Sequence, residues 1–163
     1  MDEVSSIDLA IIGEQLGREP RGVRSIAARC VCGKPAVVRT DPRLPDGTPF
    51  PTTYYVTCPR LAAAIGSLES VGVMKEMEER LALDPDLQVQ YQRAHESYLA
   101  DRAELGEVAE IEGISAGGMP HRVKCLHVLV GQSLACGAGV NPFGDEALAR
   151  IGAWWEQGSC SDE

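Results

Sequence analysis

At 163 residues with 44% hydrophobic content, the chain can bury one domain-sized core and is too short for two comfortable ones. A formal net charge of −9 and an aromatic content of 5% disfavour nucleic acid as a general partner. No apolar run approaches the roughly 18 residues that span a bilayer, so no membrane partner is expected.

Met1-Asp2-Glu3-Val4 is acidic and lacks the basic and apolar regions of a signal peptide. That points to the cytoplasm, where thiols stay reduced. The six cysteines are therefore expected as metal ligands, redox groups or buried hydrophobes rather than as disulfides. Charge is unevenly spread. Residues 68–112 carry twelve acids against Lys75, Arg80, Arg93 and Arg102, whereas residues 17–60 carry eight bases against Glu19, Asp41 and Asp46. The acidic part reads as a solvated helical face. The basic part reads as surface arginines or as a surface for an anionic small molecule.

In chain order, residues 6–16 predict a short helix closed by Gly17. Residues 23–30 read as a strand of imperfect alternation, joined by a tight turn at Cys32-Gly33-Lys34 to a better strand over 35–40. Pro45-Asp46-Gly47 marks a turn inside a Pro-, Gly- and Asp-rich stretch, and residues 53–57 give a third strand. The remainder reads as helical. Leu61, Ile65 and Leu68 hold one helix face, which Met74, Met77 and Leu81 continue after a break at Gly72. Asp84-Pro85 caps a helix whose stripe is Leu87, Tyr91, Ala94 and Tyr98. A glycine-bearing link over 113–118 leads into a helix expected over 120–136 and ended by Gly137. Asn141-Pro142-Phe143-Gly144 reads as a turn, with Asp145 capping a last helix that carries Leu148, Ile151 and Trp155. The expected class is α+β: a small antiparallel sheet in the N-terminal third packed against a helical remainder. One domain over residues 1–157 and a frayed tail over 158–163 complete the expectation.

Cys30-Val31-Cys32-Gly33, Cys58-Pro59 and Cys125-Leu126-His127 carry the chemistry. Sulfurs at a turn and at a neighbouring strand end can converge on one tetrahedral ion at about 2.3 Å from each. Cys30, Cys32, Cys58, Cys125 and His127 are therefore candidate metal ligands, for zinc or an iron–sulfur cluster. Cys30, Cys58 and Cys125 form the heart of that set, with Cys32 or His127 as a fourth. The competing reading makes these thiols small buried hydrophobes. On a regular helix starting at 120, Cys125 and His127 would lie about 200° apart and would not serve one ion. His127 then reads as a hydrogen-bonded core histidine, and Cys136 and Cys160 as incidental. Gly117 and Gly118 ahead of that helix, with Arg122 and Lys124 close by, suggest an anion site for a phosphate or carboxylate. His95 reads as structural and the glutamates between 69 and 112 as solvent-facing. No Ser-His-Asp signature, Walker loop or carboxylate pair identifies a reaction.

On these residues the chain resembles a bacterial family, common in actinobacteria, known as domain of unknown function 501. The matching stretches run over 29–35, over 43–52 through Cys58-Pro59, and over 117–120 through Arg122-Val123-Lys124-Cys125-Leu126-His127. The resemblance implies that the family keeps cysteines at the positions of Cys30 and Cys58 and a Cys-x-His at Cys125 and His127. It also implies an aromatic residue in place of Cys32 and a histidine in place of Gln132 in other members. It implies no activity. The function expected is thus a cytoplasmic metal-binding protein. The alternatives are a scaffolding protein with core cysteines and an enzyme acting on an anionic small molecule.

Overall fold

The computed structural model describes residues 1–157, so the expected tail over 158–163 lies outside the described residues. Helix α1 (Ser6–Leu16) starts where Ser5 and Asp8 cap each other, the Ser5 hydroxyl accepting the Asp8 N–H and the Asp8 carboxylate accepting the Ser5 N–H. Gly17, at φ 70°, closes it. The sheet has the order β1-β2-β3-β4, all antiparallel: β1 (Asp2–Glu3), β2 (Val23–Arg29), β3 (Pro35–Thr40) and β4 (Tyr54–Val56). The two-residue β1 escapes the pattern because it is too short to show alternation. Register shifts along β2 and β3 explain the imperfect alternation of the β2 sequence.

α1 covers one face of the sheet, where Ile12, Ile26 and Val38 form a small cluster. The other face, with Val37, Tyr54 and Val56, packs into the main core under the remaining helices. β3 is therefore buried on both faces, which is why it reads as an apolar run. The helices are α2 (Pro59–Ser70), α3 (Val73–Leu83), α4 (Pro85–Leu105), α5 (Leu126–Cys136) and α6 (Pro142–Ile151). The protein is thus α+β, with its antiparallel sheet in the N-terminal part. Among the described residues no helix is long and apolar enough to cross a membrane.

Two expected boundaries move. α5 begins at Leu126 rather than at 120, because residues 117–124 fold into turns, with the Arg122 N–H on the Gly118 carbonyl and the Lys124 N–H on the Gly117 carbonyl, both at 2.8 Å. α6 begins at Pro142, because the Asn141 side chain, rather than Asp145, accepts the first free amides, those of Phe143 and Gly144. Trp155 then falls in a 3-10 turn, Trp154–Glu156, beyond the helix.

α5 is held tightly on two sides. A Cβ at Gly131 would stand 2.7 Å from the Tyr54 carbonyl oxygen of β4, and one at Gly144 of α6 would strike the Leu129 carbonyl and the Ser133 hydroxyl. Arg102, buried on α4, donates to the carbonyls of Pro51, Ile111, Ile114 and Ser115 and ties the segment before α5 to the helical layer. At the other end of the molecule, Arg29 on β2 grips both Asp8 oxygens at 3.0 Å and Asp2 at 2.9 Å. This fork holds the Asp8 carboxyl down at about 2, against an ordinary value of 3.8.

Gly131→Ala should destabilise the fold by about 1–3 kcal/mol, read as a lower urea midpoint at unchanged slope. The Asp8 contribution has a defined sign. A depressed carboxyl stabilises fully above its unfolded value near 4 and loses that stabilisation as pH falls through 2. Allowing for solvent around Arg29, Asp8→Asn should remove about 1–2 kcal/mol at neutral pH. It should also flatten the fall of stability between about pH 4 and 2, measured by denaturation at a series of pH values.

Candidate metal centre

Leu61 and Ile65 are fully buried on α2, and Glu69 follows one turn later on the same stripe. An acid at that position is aimed at the protein rather than at water, and here it meets the start of α5. One Glu69 oxygen accepts the Leu126 N–H at 2.9 Å, satisfying a first-turn amide that has no helical partner. The other lies 3.2 Å from His127 Nδ1.

Cys125 precedes the first helical residue, with extended backbone at φ −149° and ψ 109°. The 200° separation expected on a regular helix therefore does not apply. Cys125 and His127 stand side by side, and a cysteine sulfur, a histidine nitrogen and a Glu69 oxygen all lie within 4.8 Å of one another. Gly117 makes room for this start: at φ 68° it lies so close that a Cβ would be 3.1 Å from the Val128 side chain and 3.3 Å from the Cys125 carbonyl.

All three residues are half-buried. Burial raises the Cys125 thiol, but the His127 ring and the Val128 backbone amide more than offset it, and the net shift is downward. His127 is pushed up to about 9, chiefly by Cys125, against the opposing effect of burial and with help from the Glu69 charge. The thiol and the imidazole thus each ease ionisation of the other, with Glu69 beside the ring. Cys125 and His127 line a cleft of about 430 Å³ whose other walls include Gln15 and Leu16 of α1, Tyr54–Val56 of β4, and Pro59 and Ala62 of α2.

The other expected site residues lie elsewhere. Among the described residues, the group of three possible ligands is Glu69, Cys125 and His127, and Cys30, Cys32 and Cys58 are not part of it. Cys30 follows the end of β2 and Cys58 precedes α2, and both are buried in the main core. Cys32 is exposed in the hairpin turn. Cys136 lies 3.6 Å from an Asp101 oxygen, and burial raises it to about 11. Gln132 is fully buried away from the cluster, donating to the Ala94 carbonyl and accepting from Asn141. His95 shares a 2.7 Å hydrogen bond with Ser115 in the core.

The Gly117–Gly118 segment is engaged within the protein. The Met119, Arg122 and Lys124 amides bond to the carbonyls of Ala116, Gly118 and Gly117. Glu78 accepts the Val123 N–H at 2.9 Å and Arg122 Nε at 2.7 Å, and Lys124 is exposed. Gly118 serves packing: a Cβ there would lie 2.8 Å from the Arg122 carbonyl.

Glu69 is the residue that sequence reasoning passed over as solvent-facing. Its signal was its place at the fourth position after Ile65, an acid on an otherwise apolar stripe. Together the three side chains offer sulfur, nitrogen and oxygen donors to a cation, or a thiol with a base and an orienting acid.

In comparisons with known proteins, no curated protein and no solved structure matches the chain. The family model described as protein of unknown function (DUF501) matches residues 26–149, a span that includes Glu69, Cys125 and His127. The match covers most of the chain, and the protein belongs to the DUF501 family.

Proposed function

We propose that this protein binds a single zinc ion, or a similar divalent cation, through Glu69, Cys125 and His127. The supporting observation is the meeting of one sulfur, one nitrogen and one oxygen within 4.8 Å, drawn from α2 and the start of α5. Ligands at about 2.0–2.3 Å around a tetrahedral ion sit roughly 3.3–3.8 Å apart, and the 3.2 Å between His127 Nδ1 and Glu69 is already near that spacing. A mixed sulfur, nitrogen and oxygen set suits zinc better than an iron–sulfur cluster held by thiolates. The Leu126 N–H on the second Glu69 oxygen would fix the carboxylate's orientation, as outer partners do in metal sites. Three protein ligands leave a position for water or substrate, the arrangement of catalytic rather than purely structural zinc. Cys125 and His127 face the cleft from which a substrate would come.

Protein purified without chelator should hold one equivalent of metal by elemental analysis. Cys125→Ser, His127→Ala and Glu69→Gln should each weaken zinc binding by at least about 100-fold. Cys58→Ser should leave the stoichiometry unchanged, at the cost of a packing defect. A folded protein that takes up no zinc, or a Cys125→Ser variant that keeps it, would end the proposal.

One observation favours a second reading. The sequence thiol, imidazole, carboxylate is that of a nucleophilic cysteine with its base and orienting acid. Iodoacetamide at neutral pH should then alkylate Cys125 in stripped protein faster than the exposed Cys32, with His127→Ala abolishing the difference. Equal rates in the parent protein would dismiss a nucleophilic role.

A further inference from the structure

The cleft beside Cys125 and His127 does not end at α1 and β4. Leu16 and Tyr55 line both this cleft and a smaller depression of about 70 Å³ beside α1. The smaller depression is also lined by Val38, Phe50, Arg18 and Arg21. The two depressions adjoin at Leu16 and Tyr55, the cleft reaching Cys125 and His127 and the smaller depression reaching Arg18 and Arg21.

The ends differ in chemistry. No lysine or arginine lines the cleft itself. At the far end, Arg18 has no ion-pair partner among the described residues, and Arg21 has Asp46 at 3.5 Å, both of these side chains being about half exposed. Neighbouring arginines are engaged more closely: Arg24 holds Asp41 at 2.6 Å, and Arg39 donates to the Ser25 hydroxyl. Between the ends, Phe50 and Tyr55 stand with ring centroids 6.0 Å apart, beside Leu16. The path therefore runs from a basic end over an apolar and aromatic middle to a thiol and an imidazole.

We infer that the two adjoining depressions act as one groove that binds an amphipathic anion, its charged head at Arg18 and Arg21 and its apolar body along Leu16, Phe50 and Tyr55. The end remote from the charge is then delivered to Cys125 and His127, a step that rests on the proposed metal centre. Charge complementarity selects the head and apolar contact selects the body. The substrate class is a molecule whose reacting group is separated from its carboxylate or phosphate by an apolar stretch. Free phosphate or a short carboxylate would meet only the basic end.

Octyl phosphate is the probe, titrated into ¹⁵N-labelled, metal-free protein and followed by amide shifts. Octyl glucoside, with the same tail and no charge, and inorganic phosphate serve as comparators. Octyl phosphate should bind more tightly than either and shift the amides of Leu16, Phe50 and Tyr55. The double variant Arg18→Ser with Arg21→Ser should weaken it by about fivefold or more while leaving octyl glucoside unaffected. Cobalt-loaded protein should broaden the terminal methyl of octyl phosphate more than the methylene beside its head. Equal binding of octyl glucoside, an unaffected double variant, absence of binding or shifts elsewhere would overturn the groove; reversed broadening would overturn the orientation. Failure to take up cobalt would count against the metal centre alone, since the metal-free titration decides the groove independently.

Discussion

The Glu69 carboxylate joins two helices that are distant in sequence, and the arrangement of Cys125 and His127 depends on that bond. By accepting the Leu126 N–H it defines where α5 starts, and by facing His127 it defines what the start presents. Were the helix to begin five or six residues earlier, Cys125 and His127 would sit on opposite sides of a regular cylinder. Ending the extended backbone at Cys125 places both on the side that faces α2. A single carboxylate thus does the work of a helix cap and of a site residue, with one oxygen for each role.

The scaffold around this bond is built to keep α5 in register. Gly131 lets it lie against β4 and Gly144 lets α6 lie against it. Gln132 links α5 to the Ala94 carbonyl of α4 and to Asn141, whose oxygen in turn caps α6. The connection that precedes α5 is anchored along its length, by Arg102 at the carbonyls of Ile111, Ile114 and Ser115, and by the Tyr91 hydroxyl at the Arg122 carbonyl. Burying a guanidinium against neutral carbonyls is tolerable because its donors find partners. Leaving those carbonyls bare would not be.

Local signals were legible where a local rule decides. The Gly17 stop and the Asp84 cap, the stripe of Tyr91, Ala94 and Tyr98, the strands around Val37 and Tyr55, and the break at Gly72 follow from neighbours within one or two turns. The start of α5 was not legible, because it is set by Glu69 and Glu78, roughly fifty residues upstream, taking amides that a local reading leaves to the helix or to a ligand. Cys125 and His127 were singled out on residue type, yet the same misplaced boundary separated them. Glu69 was lost among the acids of its region, though its spacing from Ile65 set it apart. Cys30 and Cys58 read as ligands from their places at a turn and at a strand end, and both lie in the main core.

The two walls of the cleft differ in how firmly they are held. β4, α2 and α5 belong to the large core, whereas α1 rests on a cluster of three buried residues, on the Asp8–Arg29 fork and on a hydrogen bond from Gln15 to the Pro35 carbonyl. Local opening follows the weaker set of contacts, so α1 is the wall of the cleft that opens more readily. Its movement would widen the groove without disturbing the geometry of Glu69, Cys125 and His127. The α1 wall of the cleft and the three clustered side chains therefore sit on mechanically separate parts, so the width of the cleft can change through α1 while the positions of Glu69, Cys125 and His127 stay fixed.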